Sequence, residues 1–104
     1  MNKTTTLYYV IKKFSYQDNA YGINDADRIV GIFSDEKIAS DFARSHINEC
    51  VSEMNEVAKT VGKHGYSKAL SLDNLHFTSY RDENPEEYID VYVVPSVREV
   101  VTNI

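Results

Sequence analysis

The chain has 104 residues, enough for one domain spanning 1–104 and too few for two cores that would each stand alone. Apolar residues make up 42% and charged residues 26%, which argues against disorder, and 4 Gly with 2 Pro leave no visible linker. The net charge of −5 argues against direct nucleic-acid binding, which calls for a basic face that displaces counterions from phosphate. Cys50 is the only cysteine, so an internal disulfide is excluded. Nowhere do about 18 apolar residues run together, and no signal peptide is visible at the start. The expectation is a soluble, cytoplasmic protein with no membrane contact. Eight Tyr and no Trp form a skew that suits half-buried strands and contact surfaces alike, since the ring is apolar and the hydroxyl wants a partner.

The first predicted strand is 7–14, LYYVIKKF, with Tyr8, Val10 and Lys12 on one face and Leu7, Tyr9 and Ile11 on the other. Both faces are apolar over its first half, which predicts a central strand. The second, RIVGIF at 28–33, contains Gly31, a mark of a bulge or of a close backbone approach. Between them, 15–27 reads as a loop carrying Tyr16, Asp18, Tyr21, Asp25 and Asp27. Thirteen residues are long for a hairpin connection, and aromatic and polar side chains together resemble a contact loop.

Ser34 is the predicted helix N-cap, with Asp35 and Glu36 in the first turn and Phe33 stapled against Ile38. Apolar residues then fall at 38, 39, 42, 43, 47, 50, 51, 54, 57, 58 and 61, one stripe at helical spacing, and Gly62 follows as the stop. Phe42, Ile47, Val51 and Met54 are expected to meet Val10, Ile32, Val91 and Val93 of the sheet. A helix of about 27 residues is roughly 40 Å long and outreaches a seven-residue strand. Its far end, Met54, Val57, Ala58 and Val61, is therefore predicted to mediate a homodimer.

The segment 63–74 carries no clear pattern. Strands follow at 75–81 and 88–94, joined by an acidic connection, and Pro95 is expected to end the second. A last strand or helical turn falls at 97–101. The fold class is α+β: one long helix on a mostly antiparallel sheet of four to five strands, in the order β-β-α-β-β.

Chemistry is sparse. His46, Glu49 and Cys50 share a helix face, but Cys50 lies in the apolar stripe, and His64 and His76 hold no ligand spacing, so no metal site is predicted. Asp25, Asp27 and Glu36 mimic three positions of a calcium loop, but Ile29 and Val30 fall where that loop needs an oxygen and a glycine. No phosphate loop, catalytic triad or carboxylate pair is present, so neither an enzyme nor a cofactor is expected. The run 82–90 puts Asp82, Glu83, Glu86, Glu87 and Asp90 together without a base; it is read as a solvated hairpin or as a surface for a basic partner.

The strand-cap-helix stretch RIVGIFSDEKIASDFA and the late Tyr/Val strand resemble the small acidic accessory proteins of phages and other mobile elements. That resemblance implies a non-catalytic inhibitor or adaptor that binds a host protein in the host cytoplasm. The candidate partner-binding residues are Tyr16, Asp18, Tyr21, Asp25, Asp27, Asp82, Glu83, Glu86 and Glu87. The alternative is a dimeric protein that binds a small molecule or nucleotide in a tyrosine-lined concavity.

Overall fold

The computed structural model describes residues 2–18, 22–62, 65–82 and 86–101, with side chains placed for 4–15, 27–62, 65–82 and 86–99. Strand β1 (Asn2–Asp18) pairs with β2 (Gly22–Phe33), helix α1 (Glu36–Thr60) follows, and β3 (Leu70–Asp73), β4 (His76–Tyr80) and β5 (Tyr88–Val101) complete the chain. The strands form one antiparallel sheet in the order β2-β1-β5-β4-β3, and α1 lies on one face of it. The α+β class matches the reading of the sequence. The element order is β-β-α-β-β-β, because β3 arises in the stretch that had no pattern. All four residues of β3 are exposed, so no alternation marks it.

The helix occupies the predicted span, but its cap sits one residue later. Asp35 is extended, and its carboxylate accepts from the Ile38 amide at 2.9 Å. That takes one of the unpaired N–H groups of the first turn. Ile38 is exposed instead of stapled, and Phe33 packs on Phe42 with ring centroids 5.0 Å apart. The other end follows expectation, with Val61 as C-cap and Gly62 at φ 68°, the left-handed region that closes a helix. Replacing Asp35 by Ala is expected to cost about 1 kcal/mol, read as a fall in the urea midpoint. Ser34→Ala in parallel should change little, and equal losses would mean that the two residues share the cap.

Of the predicted loop 15–27, residues 15–18 and 22–27 are strand, and 19–21 lie outside the described residues. β1 runs to Asp18 and β2 begins at Gly22, so the polar segment is an antiparallel ribbon with Ser15 opposite Asp25 and Tyr16 opposite Asn24. β5 starts at Tyr88, opposite Ser15, which leaves the ribbon beyond it two-stranded. At the far end, 2–7 pair only with 96–101. Nor does Pro95 end β5. The Val93 amide points toward the β4 side, donating to the Leu75 carbonyl at 2.8 Å. Two residues on, position 95 faces the same side beyond the last β4 pair, where no strand needs an N–H.

A bulge in β2 sets its faces: Val10 pairs with Gly31 but Ile11 with Ile29, so Val30 is the extra residue. Ile29 and Ile32 thereby share the face away from the helix, where they are 56% and 54% exposed. Ile32 is thus not in the core, contrary to the alternation read from sequence. Gly31 takes the helix side, where a Cβ would lie 2.7 Å from the Phe33 ring and 3.1 Å from that of Phe42. The core consists of Val10, Ala39, Ala43, Ile47, Cys50, Val51, Phe77, Ile89, Val91 and Val93, with Tyr66, while Phe42 and Met54 are half-buried at its border.

The C-terminal half of the stripe does not stand clear of the protein as expected. Asn55 of α1 clamps the backbone of Tyr66. Its Oδ1 accepts from the Tyr66 amide at 2.7 Å, and its Nδ2 donates to the Tyr66 carbonyl at 3.3 Å. Ala58 is buried, and Val57 and Val61 stay exposed.

Candidate functional site

Among the described residues, α1 covers one face only and the other face of the sheet is open. Pairing across β2, β1, β5 and β4 arranges its residues in rows. Ile32, Tyr9 and Val94 form the first; Ile29, Ile11, Tyr92 and His76 the second; Asp27, Lys13, Asp90 and Thr78 the third; and Ser15, Tyr88 and Tyr80 end the face. Four of the eight tyrosines lie here, so much of that compositional skew belongs to one surface. The first two rows are largely apolar, and the third carries charges of alternating sign.

Several polar contacts fix these rings. The Arg98 guanidinium lies 5.6 Å from the centre of the Tyr9 ring and donates to its hydroxyl at 2.8 Å. Lys13 Nζ lies 5.8 Å from the centre of the Tyr88 ring, and the His76 ring meets Tyr92 edge-on at 5.8 Å. His76 Nε2 is 3.6 Å from Asp90 Oδ1, an ion pair when the imidazole is protonated. A shallow depression of about 490 Å³ opens here against Lys13, His76, Asp90 and Tyr92.

Of the residues singled out from sequence, those with described side chains do not all lie on one surface. Tyr16, Asp18 and Asp25 lie on the ribbon with their side chains outside the described residues, as are Tyr21 and Glu83 entirely. Asp27 is exposed in the charged row of the open face. In the acidic run, Asp82 and Glu86 are exposed, whereas Glu87 is buried against the Arg81 guanidinium, and Asp90 faces His76. Glu87 and Asp90 are therefore engaged within the fold. Of Met54, Val57, Ala58 and Val61, only the two valines are exposed, a small area for a two-fold contact.

Sequence reasoning missed Tyr9, Ile11, Ile29, Ile32, Tyr92 and Val94 as a surface. The signal was present in LYYVIKKF, whose two apolar faces predicted a strand inside the sheet. β1 is inside the sheet, but its second apolar face is uncovered.

On the helix, Cys50 is buried, and the His46 ring stacks on Phe42 at 5.6 Å. Burial first, and then the Lys12 ammonium, lowers the His46 pKa below its usual 6.5, while Glu49 and Glu53 pull it up. The folded protein thus binds that proton less readily than the unfolded chain. His46 contributes stability that is present above pH 6.5 and lost as pH falls toward the lowered folded value. Among the described residues, no group of three His, Cys, Asp or Glu side chains is arranged to hold a metal ion. Among them also, no helix is long and apolar enough to cross a membrane. Compared with known proteins, the chain matches no family model, no curated protein and no solved structure.

Proposed function

We propose that the chain is a non-catalytic protein-binding module, an inhibitor or adaptor acting on another protein, that works as a homodimer. The observation that carries this reading is the open face of the sheet. A contiguous apolar and aromatic area of that kind is usually a protein contact. Its occupant is a second copy of this chain, because the row Asp27, Lys13, Asp90 carries both signs. A face of one sign would repel itself across a two-fold axis, whereas a mixed row complements its own image. Rows and strands span about 20 by 14 Å between Cα positions. With side-chain margins, two copies remove roughly 1,000 Å² from water, the floor for a specific interface. The exposed Asp82 and Glu86 then stay outward for a partner with a basic surface.

Light scattering at about 100 µM should give a mass near twice 11.9 kDa. Ile32→Asp should return it to the monomer with its circular dichroism spectrum unchanged, and Val57→Asp should leave the dimer intact. A wild-type monomer at that concentration would overturn the dimer, and dissociation by Val57→Asp alone would return the contact to the helix end.

A further inference from the structure

On the helix-covered face, Lys12 of β1 lies directly opposite Arg28 of β2. Like charges at a cross-strand pair repel, and among the described residues neither cation is in an ion pair. Both line a cleft of about 300 Å³ between α1 and the β1–β2 ribbon, together with Phe14, Asp27, Val30 and His46. His46 Nε2 is buried there without a hydrogen-bond partner. A second cleft of about 140 Å³, bounded by Cys50, Glu53, Met54 and Ile89, shares Lys12 and Phe14 with the first. The two clefts adjoin at Lys12 and Phe14 and together make a groove.

We propose that this groove binds a small organic oxyanion, its charged end between Lys12, Arg28 and His46 and its apolar body on Phe14. An anion bridging the two cations turns their mutual repulsion into two attractions, and a guanidinium fork holds two oxygens at once. His46 adds a ring nitrogen from the helix side, and beyond Phe14 the groove offers Met54 and Ile89 to an apolar body. The acids nearby set the size of the charge. Glu53 lines the second cleft. Glu49 and Glu53 both act on the His46 ring. A compact anion fits between them, and a polyanion such as a nucleic-acid strand is repelled.

The test is an NMR titration of the whole chain with phenyl phosphate, and with phenol as the neutral analogue. The expected result is saturable shifts at the His46 ring and the Lys12 and Arg28 amides with phenyl phosphate only. Lys12→Met and Arg28→Leu should each weaken binding by about tenfold or more, while Lys12→Arg, which keeps the charge, retains it. Ile32→Asp should bind as the wild type does, because it lies on the opposite face, so this test stands apart from that of the dimer. Phenol binding equally well, Lys12→Met binding undiminished, or no saturation by about 10 mM phenyl phosphate would overturn the proposal.

Discussion

Phe77→Ala is expected to destabilise the protein by roughly 3–5 kcal/mol, a large share of the 5–15 kcal/mol typical of a domain. Phe77 is 2% exposed and lies opposite Val91, where β4 joins β5 under the helix. The Arg44 guanidinium, 5.4 Å from the ring centre, covers its remaining side. Truncation removes apolar contact and leaves a void that backbone paired in a sheet cannot close. Phe42, expected from the sequence to face the sheet, is half-buried against Phe33. Its truncation should cost less, about 1–3 kcal/mol. Urea unfolding with an unchanged slope measures both. A loss below about 1 kcal/mol for Phe77→Ala would mean that the core is not centred between β4, β5 and α1.

The second large effect is expected at Glu87. Its side chain is 10% exposed and meets the Arg81 guanidinium, itself 24% exposed, while the Arg81 amide donates to the Glu87 carbonyl at 2.9 Å. Together these contacts close the connection between β4 and β5. Arg81 also lies 5.9 Å from the centre of the buried Tyr66 ring. Burial, and then the Glu87 carboxylate, raise the pKa of Tyr66, while Arg81 opposes them. Glu87→Ala takes the carboxylate from a largely desolvated cation and should cost about 2–4 kcal/mol. Replacing Arg81 and Glu87 together by Met should be milder than either single change, since no charge is then left buried without its partner. Thermal unfolding of the four proteins gives the coupling energy. If the double variant is the least stable of the four, the pair is not the reason that Glu87 is buried.

What the sequence revealed, and what it hid, follows from where burial imposes a pattern. The helix was legible because Ala39, Ala43, Ile47, Cys50 and Val51 repeat at three and four residues against one surface. Its first residue was misplaced by one because Ser34 and Asp35 are both capable caps, and only backbone geometry chooses. The ribbon at 15–27 was hidden for the opposite reason. Most of it projects beyond β5, so its polar residues follow no inside–outside rule and read as a loop. In β2, Gly31 signalled a bulge or a close approach; the close approach is at Gly31 and the bulge at its neighbour Val30. One extra residue was still enough to move Ile32 to the other face. The acidic run looked like a single feature because sequence shows charge without partners. The open face was legible only in part: Tyr9, Ile11, Tyr92 and Val94 were visible as apolar residues, but their being uncovered depends on a second layer that never forms.

The long pairing of β1 with β5 has a consequence for how the chain reaches its fold. Residue 2 meets 101 and residue 15 meets 88, so the centre of the sheet joins segments far apart in sequence. Contacts of such sequence separation close slowly, because the intervening chain must be ordered first. β1, β2 and α1 are adjacent in sequence and can assemble early, but β1 then has one unpaired edge of backbone donors and acceptors until β5 arrives. On a ribosome that interval lasts until residues 88–101 have emerged. An apolar strand edge is a template for the wrong partner during that time. The step most exposed to misassembly is thus the insertion of the last strand between β1 and β4.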